Sequence, residues 1–547
     1  LLGIVFGDEG KGKVVDVFTP QYDVVARFAG GPNAGHTIIF EGKKFVLRSI
    51  PSGIFDEGKL NIIGNGCVIA PDLFMAEAKE LETAGYDLKS RLHISKRAHL
   101  ILPTHRVLDR AYEAAKGKSK VGTTGKGIGP TYSEKASRTG LRVGDILENF
   151  PEKYAALKAR HEQILRDLGY TDYDITEEEK LWMEGIEYMR SFPLRDTEIE
   201  INKALREGKN VLAEGAQGTM LDIDHGTYPF VSSSSTVSGG VCTGLGVAPN
   251  TIGEIFGIFK AYSTRVGSGP FPVELFDETG DKIREIGHEY GAVTGRNRRC
   301  GWVDLVALRY AIMINGVTQL IMMKGDVLDT FETIKACVAY EKDGVVTTEM
   351  PYDTEGWKAV YKDIPGWQTD LTGITSPDQF PKAFADYIAW LEQELETPIT
   401  IVYQTTEIRD RVKFCSEILK KVFSNAETFD TICEATYNRQ KEAVRLSAIC
   451  DAMLVVGDRN SANTRRLAEV CAGSSATVIF AETASERNLS DLKDVRTLGV
   501  TAGASTPAWI IKEVCAKMTE EMKEIIETEE KAAESFEDLL AESFKTL

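Results

Sequence analysis

Short apolar runs alternate with amphipathic stretches over the first 400 residues. The runs at Asp23–Phe28, Leu60–Ile63, Val211–Ala213, Ile258–Ala261, Leu320–Met323 and Ile399–Tyr403 are β-rich and too short for helices, so they predict strands. Helical stretches lie between them, which implies crossover connections and an α/β fold on a large, mostly parallel sheet. Residues 151–200 read as helical and highly charged, and are expected to form a solvated insertion. Near residue 415 the rhythm restarts with a helix over Arg439–Ile449 and an apolar run over Ala452–Gly457. Further βα units follow at Ala476–Phe480 and Thr497–Val500, the latter leading to a helix from Pro507. That pattern predicts a second, smaller α/β domain. The last stretch, Thr519–Leu547, carries ten acidic residues against three lysines and reads as an acidic helical tail or linker.

Glycine loops follow several of the predicted strands. Gly7-Asp8-Glu9-Gly10-Lys11-Gly12-Lys13 has the spacing of a phosphate loop, in which backbone N–H groups approach phosphate oxygens at a helix N-terminus. Val14 stands where a Mg²⁺-binding hydroxyl is usual. A carboxylate inside such a loop repels phosphate, so Asp8 makes sense as a metal ligand or a base. Gly30–Thr37 adds an amide, Asn33, and an imidazole, His36, in one turn. Gly122–Pro130, Glu214–Thr219 and the hydroxyl run Ser232–Thr236 are further polar loops. Val293–Arg299 places three arginines in four positions, a group suited to phosphates and carboxylates. Together these loops point to a nucleotide enzyme with several anionic substrates.

The net charge of −18 argues against a general nucleic-acid binder and leaves room for local basic pockets. No stretch of the sequence is apolar enough for a membrane helix, and no signal peptide is visible, so no membrane partner and a cytoplasmic location are expected. Nine scattered cysteines with no C-x-x-C pair fit a reducing compartment. A strand that opens at Leu1 and feeds a functional loop a few residues later suggests a truncated or processed start.

The segments GDEGKGK, GGPNAGHT, GTTGKGIGP, SRTGLRVGD, EGAQGTMLDIDHGTYPFV, KAYSTRVGSGPFP and TGRNRRCGWVD are long, ordered and specific. On them, residues 1–403 resemble the adenylosuccinate synthetase family. The resemblance implies a homodimeric ligase of purine biosynthesis that joins IMP and L-aspartate with GTP and Mg²⁺, through 6-phosphoryl-IMP. It implies Asp8 as base, with His36 and Lys11 also catalytic. GTP would meet Gly7, Asp8, Glu9, Gly10, Lys11, Gly12, Lys13, Gly35, His36, Thr37, Arg299, Lys324, Gly325 and Asp326. IMP would meet Asn33, Ala34, Thr124, Gln217, Ser232, Asn297 and, from the other subunit, Arg138. The aspartate substrate would meet Val293, Thr294, Gly295, Arg296, Arg298 and Arg299. Asp8 and the backbone oxygen of Gly35 would bind Mg²⁺. The resemblance stops after Tyr403, where the family's guanine-packing loop is replaced by Gln404-Thr405-Thr406-Glu407.

Residues 404–518 resemble the last third of 4-hydroxy-3-methylbut-2-enyl diphosphate reductase, on QTT, FDTICEATYNRQKEAV, DAMLVVGDRNSANTRRLAE and LGVTAGASTPAWII. In that family Cys433 would ligate a [4Fe–4S] cluster, while Thr405, Ser461, Asn463 and Ser505 would bind diphosphate. The other cluster ligands belong to earlier segments that this chain lacks, so the cluster is not expected to assemble. Residues 519–547 resemble the linker that follows some such reductases. The leading expectation is therefore a GTP-dependent ligase with an incomplete appended domain. Two alternatives stay open, a fragment of an iron–sulfur isoprenoid enzyme and an inactive chimera of two gene fragments.

Overall fold

The computed structural model describes residues 1–33, 35–40, 43–117, 120–290, 297–372, 374, 379–401, 434–457, 462–472, 477–481 and 497–502. They divide into two compact units. The first takes in the described residues up to Ile401 apart from Ile39–Lys44, and the second takes in those from Glu434 on.

The predicted strands form as expected, Leu60–Ile63 to the residue and the others with one or both ends shifted by a residue or two. Val24–Arg27 is buried at every position, because helices and loops cover both faces of a parallel sheet. Five parallel strands run in the order Val211–Glu214, Val24–Arg27, Leu60–Ile63, Leu92–Ser95, Leu194–Arg195. Four more run Leu2–Gly3, Phe256–Lys260, Gln319–Met323, Ile399–Ile401. Leu1 joins the two sets: its amine donates to the Ala213 carbonyl (2.8 Å) and its carbonyl accepts from the Gly215 N–H (2.9 Å). The loops that begin at Gly7, Gly30 and Glu214 leave the carboxyl ends of these strands, where open α/β sheets bind ligands. A third, mostly antiparallel sheet (Tyr262–Arg265, Arg299–Asp304, Thr333–Lys342, Val345–Thr347 and Lys358–Pro365) sets the arginine loop.

The charged insertion corrects one expectation. Its helices Phe150–Asp167 and Thr176–Met189 are not simply solvated. Trp182 is fully buried, stacks on Tyr154 (5.1 Å) and donates its indole N–H to the Ile101 carbonyl (2.7 Å). At Gly185 an added Cβ would fall 2.4 Å from the backbone of Pro71, so glycine lets this helix lie against Pro71–Thr83. The high charge masked a narrow apolar stripe of Trp182, Ile186 and Met189.

A buried staple ties the insertion to the helix that follows the Gly122 loop. Glu134 on Ile128–Ser137 accepts from His105 (2.8 Å) and His161 (2.7 Å). The Leu102 N–H donates to His105 Nδ1 (2.9 Å), so the proton of that ring sits on Nε2. Ligand atoms of the three residues lie within 4.8 Å of one another, but that proton occupies the position a metal would need.

In the second unit, strands Thr477–Ala481, Ala452–Val456 and Leu498–Ala502 pair in parallel, in that order. Alternate residues of the central strand face two cores. Met453 and Val455 meet Leu467 and Cys471, while Leu454 and Val456 meet Ala481. The expected helix appears at Glu434–Ser447, a few residues earlier than read. The helix expected from Pro507 and the acidic tail lie outside the described residues.

Candidate active site

The loop after Leu2–Gly3 is tied down by its own second carboxylate. Glu9 is buried and accepts from the Val5 and Gly7 N–H groups (3.2 and 2.7 Å) and from Lys11 Nζ (2.8 Å). Lys11 also donates to the Gln217 carbonyl (2.5 Å), which joins this loop to the Glu214–Thr219 loop. Glu9 is thus placed as a brace of the loop rather than toward its mouth. Gly7 and Gly10 hold positive φ of 85° and 95°, the conformation glycine permits cheaply, and Gly10 caps the helix Lys11–Phe18. Asp8 adopts φ 61° and points outward, its side chain 38% exposed. Arg298 lies 3.1 Å from it.

His36 opens the strand His36–Phe40 and packs on the phosphate loop: a Cβ added to Gly12 would fall 2.8 Å from His36 Cβ. Its Nδ1 lies 2.6 Å from Glu214, whose other partners are the Ser52 N–H and hydroxyl (2.8 Å each). Burial alone would raise the Glu214 carboxyl, but the His36 contact, Arg27 and the Ser52 amide bring it down to about 2. An anionic Glu214 fixes the His36 proton on Nδ1 and leaves Nε2 to act. Burial holds His36 below its ordinary value, so the ring gains its second proton only beside added negative charge.

Gln217 sits at φ 57° and donates to Asn33 Oδ1 (2.9 Å). Ser232 and Ser234 share a hydrogen bond (3.0 Å). Lys126 donates to the Pro32 carbonyl (2.7 Å), bringing the Gly122 loop beside Asn33. The structure therefore gathers the loops assigned to IMP. Thr124 and Arg138 are exposed, and Arg138 caps its helix at φ 65°. Arg299 pairs with Glu274 and donates to the Gly267 and Gly269 carbonyls. Lys324 adopts φ 59° at the end of its strand and donates to the Gly287 carbonyl, while Asp326 is exposed beside it. Lys13 lies in the first turn of the helix Lys11–Phe18, Gly325 opens the turn Gly325–Leu328, Asn297 bridges to Tyr290, and Gly35 precedes the strand His36–Phe40. Ala34, Val293, Thr294, Gly295, Arg296, Thr405, Cys433, Ser461 and Ser505 lie outside the described residues, as do the side chains of Thr37 and Asn463.

Three residues escaped sequence reasoning. Glu214 was quoted inside its motif but not as the partner of His36, although a carboxylate closing an apolar strand run is a signal. Ser52 carried none. Glu289, fully buried, accepts from Lys260 (2.9 Å), Tyr262 (2.6 Å) and Arg298 (2.5 Å), and had no motif around it.

A glycine-rich anion loop with an outward carboxylate, a carboxylate-held histidine against it, and arginine and lysine loops at neighbouring strand ends define an α/β phosphoryl-transfer enzyme. A family model described as adenylosuccinate synthetase matches residues 1–413, and one described as LytB protein matches residues 364–519. Adenylosuccinate synthetase of Phocaeicola vulgatus is 69% identical over 403 residues, covering 74% of this chain and 95% of that protein. That of Porphyromonas gingivalis is 62% identical over the same shares. The structure of fully ligated adenylosuccinate synthetase from Plasmodium falciparum aligns with a TM-score of 0.69 at 38% identity, covering 74% of this chain and 96% of that one. The chain belongs to the adenylosuccinate synthetase family, a GTP-using ligase of purine biosynthesis, and carries a LytB-family segment after it.

Proposed function

We propose that Asp8 is the base of the ligation and His36 the group that meets the moving phosphoryl charge. Asp8 takes the N1 proton of IMP, and O6 attacks the γ-phosphorus of GTP as the bond to GDP breaks. Charge on the transferring oxygens draws a proton onto His36 Nε2, which then donates to them, with Glu214 balancing the imidazolium. The aspartate amine next attacks C6 and phosphate leaves, giving adenylosuccinate. Lys11 and Lys13 offset phosphate charge. Asn33, Thr124, Gln217 and Ser232 hold IMP, and Arg138 reaches the IMP of a second subunit in a homodimer. Arg298 and Arg299, with the Val293–Arg296 segment, hold the aspartate carboxylates, and Asp326 reads guanine.

The donors available for a metal are oxygens only: the partly exposed Asp8 carboxylate and the Gly35 carbonyl. That set fits Mg²⁺, which takes one or two protein oxygens and completes its shell with phosphate and water. Bound there, Mg²⁺ would supply a Lewis acid for the phosphate oxygens. A [4Fe–4S] cluster does not fit. Among the described residues of the second unit, Cys471 is a core thiol that burial pushes up to about 11, and Cys450 packs against the same core.

We take the domain boundary to lie at 403/404. The two family models overlap at 364–413, and Ile399–Ile401 still pairs with the first unit's sheet. The observation that carries the reading is His36, locked to Glu214 and in contact with the phosphate loop. The test is to incubate the purified chain with GTP, IMP, aspartate and Mg²⁺ and follow adenylosuccinate by absorbance. Product that requires all three substrates is expected. A folded chain that binds IMP but makes none would show that replacing the guanine loop removed something essential.

A further inference from the structure

Glu289 lies in none of the family motifs, yet it accepts from three side chains beside the site. It sits just before the arginine loop, fully buried. Oε1 accepts from Lys260 on the sheet's strand Phe256–Lys260 and from Tyr262 on the adjoining strand, and lies 3.7 Å from Lys324 Nζ. Oε2 accepts from Arg298 Nη1, and the Arg298 N–H donates back to the Glu289 carbonyl (3.0 Å). Burial would raise this carboxyl, but Lys260, Lys324 and the Tyr262 hydrogen bond bring it down to about 2, so it stays anionic.

Arg298 is therefore a bridge. Nη1 stays on Glu289 while Nη2 lies 3.1 Å from Asp8, and Nε has no partner among the described residues. With Nη2 on Asp8 Oδ2, the guanidinium occupies the carboxylate that a substrate or a cation would have to meet. For Asp8 to act, Nη2 must leave it, and a substrate carboxylate is the chemical equivalent of what it leaves.

We propose that Glu289 is a positioning residue of the ligation: it anchors Arg298 by one nitrogen so that the other can pass from Asp8 to the aspartate substrate, and it steadies the Lys324 turn from the same point. This rests on reading Asp8 as the base and Arg298 as a carboxylate clamp. Arg299, paired with Glu274, lacks this double contact and is not part of the transfer.

The test is steady-state kinetics of the full chain, each substrate varied in turn. Glu289→Gln should raise KM for aspartate about tenfold and KM for GTP severalfold, lower kcat, and leave KM for IMP within about twofold. Removing a buried anion from beside Lys260 can unfold the chain. Tyr262→Phe keeps that charge and removes one hydrogen bond, so it should shift KM for aspartate about two- to threefold in the same direction. Arg298→Lys separates this proposal from the reading beneath it, because an ammonium cannot span two carboxylates as a guanidinium does. If Arg298→Lys raises KM for aspartate while folded Glu289→Gln and Tyr262→Phe do not, the role of Glu289 is overturned and the clamp stands. If Arg298→Lys leaves that KM unchanged, both fall. A loss of melting temperature with all three KM values unmoved would also overturn the proposal.

Discussion

The two units use the same local grammar, parallel strands that end in loops, and differ in what those loops meet. In the first unit several chemical side chains are completed by residues from other segments of the chain. His36 is held by Glu214, Lys11 by the Gln217 carbonyl, Gln217 by Asn33, and Arg298 by Glu289 and Asp8. In the second, the described residues complete a core but no such constellation. Met453 and Val455 pack on Leu467 and Cys471, contacts that a short stretch of chain supplies by itself. A core can be local, whereas a site is assembled from several strand ends, and a unit cut from a larger fold keeps the first and loses the second.

The sharpest way to break that contrast is to remove chemistry without packing. Asp8→Asn and His36→Ala should each lower kcat at least about 10³-fold while leaving the circular dichroism spectrum and IMP binding intact. Near-normal turnover in either would refute the assigned roles. Glu214→Gln tests whether the distant partner matters as much as the contrast requires. It keeps a hydrogen-bond acceptor but removes the anion that supports a protonated His36. A fall in kcat of about 10² is expected, with KM for IMP little changed. An unchanged kcat would make Glu214 a packing residue only.

The same carboxylates set the acid limit of the first unit. Glu214, Glu289 and Glu134 are each brought down to about 2, below the ordinary value of 4.5. The stability they contribute is fully present above that ordinary value and is lost as pH falls toward 2. His99 acts at a higher pH. Burial lowers it from 6.5 to about 4, so the unfolded chain takes up a proton that the folded chain refuses. Asp16, raised by burial to about 7, and Asp304 and Asp329, raised to about 6, take up protons in the folded chain over the same range and oppose it, so the His99 effect is read by difference. As pH falls from about 6.5 to 4 the denaturant midpoint should drop relative to that of His99→Gln, and below 4.5 both should drop steeply. A constant difference would contradict the first expectation, and midpoints flat below 4.5 the second.

Much of this was legible in the sequence. Leu60–Ile63 was delimited to the residue, because a short apolar run bounded by polar residues has few other uses. The glycine loops stood out in the sequence as candidate anion sites, since spacing and positive-φ residues are local properties. Glu289 and Ser52 were not legible, because their meaning lies in partners far along the chain or in backbone groups without a motif. Trp182 was hidden for another reason: a single stripe of apolar residues in a charged helix is averaged away by composition.

In the second unit the expected effects on activity are nil, which makes them a test of independence. Met453→Ala removes a fully buried side chain and should destabilise that unit by about 2–5 kcal/mol. Proteolysis should then cut the C-terminal part sooner, with adenylosuccinate formation unchanged. A parallel loss of turnover would show that the synthetase activity depends on the appended unit.

The smallest expected effect is the uptake of iron. If Cys433 is the one cluster ligand in this segment, as the reductase resemblance implies, a single thiolate leaves three irons of a cubane without protein ligands. The buried Cys471 thiol is held protonated by its apolar surroundings, so recruiting it would mean unpacking the core it shares with Met453 and Val455. Anaerobic reconstitution with iron and sulfide, followed by desalting, should leave less than about 0.1 cluster per chain and no absorbance near 400 nm. Substituting Cys433 by Ser should change neither reading. A stoichiometric brown cluster that disappears in that variant would mean the second unit assembles a site after all, and the contrast between a local core and a gathered site would fail where it is most exposed.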